Sequence, residues 1–123
     1  MDDGTRDSIL DRLTWAIRFI AADPDFALAL IEREHLHVDE FALTLGDWLP
    51  LARQEGVVGK DVLAVLDEID GVFEAMSGAG HADQWTDVAV RSGAEWAAQR
   101  ERARNALRLM GVSRADNDLA GHI

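Results

Sequence analysis

Apolar side chains recur at intervals of three and four along most of the chain, which is the spacing of a helix face. The first such segment predicts a helix over residues 7–22. Trp15 and Phe19 lie four apart on nearly the opposite side of this helix. A helix with two apolar faces either lies in the centre of a bundle or carries a patch for a partner, and we favour the central position. The main stripe comprises Ile9, Leu10, Leu13, Ala16, Ile17 and Ile20.

The second and fourth predicted helices each follow residues that typically precede a helix. Asp23 followed by Pro24 indicates a helix start, because proline has no N–H to leave unpaired in the first turn. This pattern predicts a helix over 24–34. A wide apolar face predicts another over 60–76, directly after a loop bounded by glycines.

A third helix is predicted to begin near Asp39. Pro50 removes a helical hydrogen bond and crowds the preceding turn, so we expect this helix to end or kink near Leu49. A short helical turn is then expected to continue to residue 54.

The last periodic region covers residues 82–110 and contains Ser92-Gly93 as an interruption. Its apolar positions keep their phase across the interruption, which favours one long helix bent at Gly93. Gly111 is a natural stop, and the polar stretch 112–123 is expected to form a flexible tail. The positions in phase are Trp85, Ala89, Ser92, Trp96, Ala103, Leu107 and Met110.

Alternating strand patterns are nearly absent. We therefore predict an all-α protein: one compact domain over 1–111 with four to six helices, arranged as an orthogonal or up-down bundle, and with a long C-terminal helix. The expected centre of the core is Leu13, Ile17, Leu30, Phe41, Trp48, Leu66, Ile69, Phe73, Trp85 and Trp96.

Composition narrows the possible chemistry. The chain is 48% apolar and 28% charged, which is typical of a globular protein. The absence of cysteine excludes disulfides, thiolate zinc sites and cysteine nucleophiles. The chain contains neither Gly-x-Ser-x-Gly nor His-Glu-x-x-His. We expect no cofactor, and a non-catalytic role is favoured over an enzymatic one.

Charge is abundant and unevenly distributed. The formal net charge is −11, with a net −13 over residues 1–90 and +4 over 91–114. Such an excess of acid disfavours a surface that neutralises phosphates, so we expect no nucleic-acid partner. The basic segment contains a ladder of arginines, which we expect to pair with the acidic body. The ladder comprises Arg100, Arg104 and Arg108, with Arg91 further towards the N-terminus.

We expect no secretory signal at the start of this sequence. The first residues are acidic, whereas a secretory signal begins with basic residues. Apolar runs such as 26–31 are much shorter than the roughly 20 residues that cross a bilayer. We expect a cytoplasmic protein without a membrane partner.

A short histidine-bearing segment is a candidate metal site. His35, His37 and Asp39 offer two imidazoles and a carboxylate within five residues. On a helix, however, positions two apart point about 200° away from each other. A solvated connection between helices is therefore the favoured interpretation, and no metal is expected.

Carboxylates in the fourth predicted helix form the second candidate. Asp67, Asp70 and Glu74 fall within about 60° of one another on a helical wheel. Three carboxylates could hold Mg²⁺ for phosphate chemistry, but that chemistry needs a second acidic pair on a neighbouring helix, and the sequence lacks the complete pattern. A solvated acidic face, or one that meets a basic protein, is favoured.

Two function classes remain. The leading hypothesis is a non-catalytic acidic module that binds a basic partner protein, in the manner of proteins that neutralise toxins or sequester regulators. Its predicted contacts are Asp67, Asp70 and Glu74, with Trp15 and Phe19 as aromatic anchors. The alternative is a small metal-assisted or ligand-binding enzyme that uses carboxylates between helices. The two differ in whether the carboxylates converge in a pocket or spread over an exposed face.

Overall fold

A computed structural model describes residues 3–78 and 80–112. Their regular structure is entirely helical, so the predicted all-α class with four to six helices is confirmed. The elements in chain order are α1 (Asp3–Ala21), α2 (Pro24–Arg33), α3 (Glu40–Glu55), α4 (Lys60–Ala75), a 3₁₀ helix (Ala82–Trp85), α5 (Asp87–Ser92) and α6 (Ala94–Met110).

Helix α1 lies at the centre of the bundle. It packs against α3 on one side and α6 on another, while α4 packs against both α3 and α6. This placement explains why α1 is apolar on two faces, since each face has a helix to cover it. The central position that the sequence favoured is confirmed.

Helix α2 begins at Pro24, as the sequence predicted. Asp23 occupies the capping position, but its side chain makes no capping hydrogen bond. Its carboxylate instead accepts a hydrogen bond from Arg104 Nη2 at 3.2 Å. The aspartate therefore links the α1–α2 turn to α6 and leaves the helix start to the fixed φ angle of proline.

Helix α3 continues through Pro50 to Glu55, so the prediction that it ends near Leu49 is wrong. Pro50 is exposed, and its missing N–H removes the helical donor of only one carbonyl, that of Gly46. Leu49 and Ala52 on either side are buried and hold both halves of the helix in the core. Burial on the inner face outweighs the single lost hydrogen bond.

The C-terminal region is divided into three pieces, so the expected single helix over 82–110 is wrong. Thr86 and Gly93 both adopt extended backbone angles and separate the 3₁₀ helix, α5 and α6. Thr86 Oγ1 accepts the Ala89 N–H and caps α5. The final helix, α6, retains 17 residues.

Two tryptophans stabilise this division. Trp85 Nε1 donates to the Met76 carbonyl at 2.9 Å, and Trp96 Nε1 donates to the Gln84 carbonyl at 2.6 Å. Both indoles pack with Phe73 of α4. One straight helix could not place both indoles at these carbonyls. The aromatic cluster therefore determines where the chain bends.

Eight of the ten predicted core residues are buried, whereas Trp48 and Trp85 are half-buried against the core. Of the predicted C-terminal tail over 112–123, only Val112 lies within the described residues. No helix in the described ranges combines the length and apolar content needed to cross a bilayer.

Replacing Trp96 by alanine should lower the free energy of unfolding by about 3–5 kcal/mol, the usual range for a buried aromatic side chain. The indole is 5% exposed, and its loss also leaves the Gln84 carbonyl without a donor. Urea denaturation followed by circular dichroism measures the change. Val88→Ala is the matched control because Val88 is 73% exposed; equal effects of both variants would contradict the packing described.

Two glycine-to-alanine substitutions should change the free energy of unfolding in opposite directions. Gly93→Ala should destabilise by at least about 1 kcal/mol, because the added Cβ would lie 2.5 Å from the Ala89 carbonyl oxygen. Gly71→Ala should stabilise by up to about 1 kcal/mol, since Gly71 lies within α4 with free space around it. Thermal and urea denaturation test both. Stabilisation by Gly93→Ala would show that α5 and α6 form one helix.

Candidate functional site

Helix α4 divides its residues between the core and the surface. Leu66, Ile69 and Phe73 are buried. On another side of the helix, Asp67 and Glu74 are exposed and Asp70 is half-buried. We call Asp67, Asp70 and Glu74 the acidic stripe.

Helix α3 supports the acidic stripe from one side. Arg53 Nη2 forms an ion pair with Asp67. One turn further along α4, Asp70 Oδ1 lies 3.5 Å from where a Cβ on Gly46 would be. A Cβ at Gly46 would stand at ordinary van der Waals distance from this carboxylate, so Gly46 and Asp70 face each other where α3 and α4 pack.

The three carboxylates interact electrostatically. Burial raises the pKa of the Asp70 carboxyl above its ordinary value, and repulsion from Glu74 and then Asp67 raises it further. Within the described part of the chain, Arg53 pairs with Asp67, whereas no ion pair forms with Asp70 or Glu74. Two of the three carboxylates, Asp70 and Glu74, therefore carry negative charge that no ion pair among the described residues compensates.

The histidine segment does not assemble into a metal centre. His35 and His37 are exposed in the connection between α2 and α3, and His35 has a left-handed φ of 56°. Across the residues that the structure describes, no group of three or more histidine or acidic side chains could hold a metal ion. Asp39 and the residues of the acidic stripe are among these described residues.

The predicted aromatic anchors lie largely inside the protein. Phe19 is 2% exposed and stacks on Phe41 of α3, so its ring has no surface for a partner in this structure. Trp15 packs against both rings and keeps part of its surface exposed. The second apolar face of α1 is thus covered by α3, and only Trp15 remains as a secondary candidate contact.

Two of the four predicted arginines, Arg104 and Arg91, pair with the acidic body, as the sequence predicted. Arg104 bonds to Asp23, and its Nε donates to the Ala21 carbonyl at 3.0 Å. Arg91 pairs with Asp25 at 3.0 Å. The other two arginines of the ladder make different bonds: Arg100 donates to the Val90 carbonyl and Arg108 donates to Asn105.

Sequence reasoning missed a polar link between α4 and α6. Gln99 is fully buried and donates from Nε2 to the Ile69 carbonyl at 2.8 Å. Its Oε1 accepts from Arg102, which also pairs with Glu68 at 2.9 Å. The sequence contained a sign of this link, because Gln99 lies three residues after Trp96 and four before Ala103. That spacing places a polar amide on the buried face of the helix.

A small apolar cavity lies where α1, α2, α3, α5 and α6 meet. Its volume is about 20 Å³, which is room for about one water molecule. Among the described residues, Arg100 is the only charged one that lines the cavity, and its buried Nε has no hydrogen-bond partner there. Burial lowers the pKa of this guanidinium, with a further contribution from Arg104. No residue of the acidic stripe lines the cavity.

The arrangement defines an all-α protein that carries exposed carboxylates along one side of α4. Comparison with protein-family models, with curated proteins and with solved structures found no match to this chain.

Asp70→Asn should stabilise the protein at neutral pH, by less than about 1 kcal/mol. The native state raises the pKa of Asp70, so ionisation of this carboxyl weakens the fold. As the pH falls from the pKa of Asp70 in the native state to its pKa in the unfolded state, the wild type should regain this lost stability. The difference in stability between the variant and the wild type should therefore shrink over that pH range. Urea denaturation at several pH values measures the difference.

Asp83→Asn is the control for the Asp70 prediction, because it removes one charge from an exposed carboxylate outside α4. A destabilised Asp70→Asn variant at neutral pH would show that the carboxylate forms a favourable contact in the native state.

Proposed function

We propose that this protein is a non-catalytic interaction module that binds a basic partner protein, with the acidic stripe as its first contact. One observation carries the proposal: Asp70 and Glu74 form no ion pair within the described ranges, although arginines elsewhere engage the acidic body. A cluster of repelling carboxylates gains more from an incoming cation than isolated ones do.

The neutralisation of a toxin or the sequestration of a regulator is the specific role that we propose, in the cytoplasm. Both roles require rapid capture of a basic protein. The net charge of −11 supplies a field that speeds encounter with such a partner. Engagement of Arg91, Arg102 and Arg104 with carboxylates supports a protein partner over a nucleic acid, because these cations are already used.

The enzymatic alternative has less support. Metal-assisted chemistry needs carboxylates that converge on one ion. Asp67, Asp70 and Glu74 instead project from successive turns of one helix. We therefore propose binding as the function of the stripe.

The partner is first recovered by affinity capture from native extract, identified by mass spectrometry and purified. The test is then its rate of association with this protein. The triple variant Asp67→Asn, Asp70→Asn, Glu74→Gln should associate about tenfold more slowly at low ionic strength, with a weaker dependence on salt. Stopped-flow mixing measures both quantities, after circular dichroism has shown that the variant is folded.

A charge-matched triple variant, Asp7→Asn, Asp83→Asn, Asp87→Asn, is the control. It loses the same formal charge from exposed carboxylates outside α4 and should stay within about threefold of the wild-type rate. Equal slowing in the two variants would show that net charge acts without a local site. A partner with an acidic surface, or an unchanged rate in the stripe variant, would contradict the proposal.

A further inference from the structure

The outer side of α3 carries apolar side chains that no helix within residues 3–78 and 80–112 covers. Leu43 is 57% exposed and Leu51 is 37% exposed, and Pro50 is also exposed. Leu43 and Pro50 are seven residues apart, which places them on the same line of the helix surface. We call Leu43, Pro50 and Leu51 the α3 ridge; the exposed Asp47 lies among them.

The α3 ridge runs beside the acidic stripe. Arg53 meets Asp67, and Gly46 meets Asp70, so α3 residue numbers fall as α4 numbers rise. The two helices are therefore antiparallel along this contact, and Glu74 lies towards the Leu43 end of α3. Residues 40–75 carry eight acidic and two basic side chains, which makes the surroundings of the ridge strongly negative.

We propose that the α3 ridge and the acidic stripe together dock a basic amphipathic helix of the partner. This inference rests on the proposed function and deepens it by naming the kind of segment that binds. The apolar residues of the ridge gain by removal from water, and the adjoining carboxylates select a segment that carries cations. Charge thus sets the choice of partner, while the leucines supply the anchor that charge alone does not provide.

The spacing of the ridge determines the pattern of the partner helix. Leu43 and Pro50 are separated by about 10.5 Å along α3, so a helix lying along it needs apolar residues seven apart. Basic residues one turn away from these positions face the stripe. Gly46 lies between Leu43 and Pro50 in the chain and has Asp70 Oδ1 beside it, so a lysine or arginine stem that crosses the ridge there can reach Asp70.

The probe is a synthetic helical peptide of about 15 residues, with leucine every seventh position, arginine one turn from each leucine and alanine elsewhere. Titration calorimetry measures its dissociation constant. Leu43→Ser should weaken binding about tenfold, since it removes a side chain that the peptide buries. A peptide with citrulline in place of arginine, which keeps the shape and loses the charge, should also bind about tenfold more weakly.

Val88→Ser is the matched control, because Val88 is 73% exposed on α5 and should leave binding within about twofold. Amide chemical shifts should change along residues 43–51 and 67–74. Undetectable binding, shifts confined to another surface, or equal effects of Leu43→Ser and Val88→Ser would overturn the docking proposal. Sedimentation that shows a dimer dissociated by Leu43→Ser would also overturn it, by identifying a second copy as the occupant.

The two proposals fail in different ways. If the stripe variant and the citrulline peptide bind weakly but Leu43→Ser binds normally, the acidic stripe retains its function and the ridge does not dock the helix. If Leu43→Ser binds weakly but loss of charge has no effect, the charge-based function is wrong, and so is the basic character assigned to the docked helix.

Discussion

Burial of α1 on more than one side is the constraint on which the rest of the structure depends. Its stripe and its Trp15–Phe19 face both have to leave water, so α3 covers one side and α6 another. Helix α4 then packs against both of these helices. This order turns Leu66, Ile69 and Phe73 inward and leaves the acidic stripe at the surface beside α3. The position of the candidate site follows from the need to enclose α1.

Acidic and basic side chains are concentrated in different parts of the chain, and the two parts form different contacts. Arginines of α5 and α6 bond to Asp23, Asp25 and Glu68, which lie in or beside elements that α5 and α6 pack against. Such exposed pairs contribute little stability each, but they engage cations of the basic segment. Asp70 and Glu74, in contrast, form no ion pair within the described ranges. An internal arrangement of arginines thus leaves one acidic surface for an external cation.

Local sequence determined the class of the protein and most of its elements. Periodic apolar positions identified α1, α2 and α4 to within a few residues, because each helix buries one face and solvates the other. Asp67, Asp70 and Glu74 were recognised as one stripe for the same reason, since helical spacing alone places them together. The pairing of Arg104 with the acidic body was also predicted from the sequence, because a basic segment in a strongly acidic domain is attracted to the many carboxylates around it.

Only the tertiary structure determined where core packing outweighs the local preference of a residue to end or to continue a helix. Pro50 does not end α3, because Leu49 and Ala52 are held in the core on both sides of it. The C-terminal region bends at Thr86 and Gly93, because the indoles of Trp85 and Trp96 bond to carbonyls outside a straight helix. The sequence could not assign Leu43 and Pro50 to a surface beside Asp70, since that juxtaposition depends on how two helices lie against each other. Helical periodicity tells which face of each helix is buried, whereas the neighbours of the exposed faces depend on contacts between residues far apart in the chain.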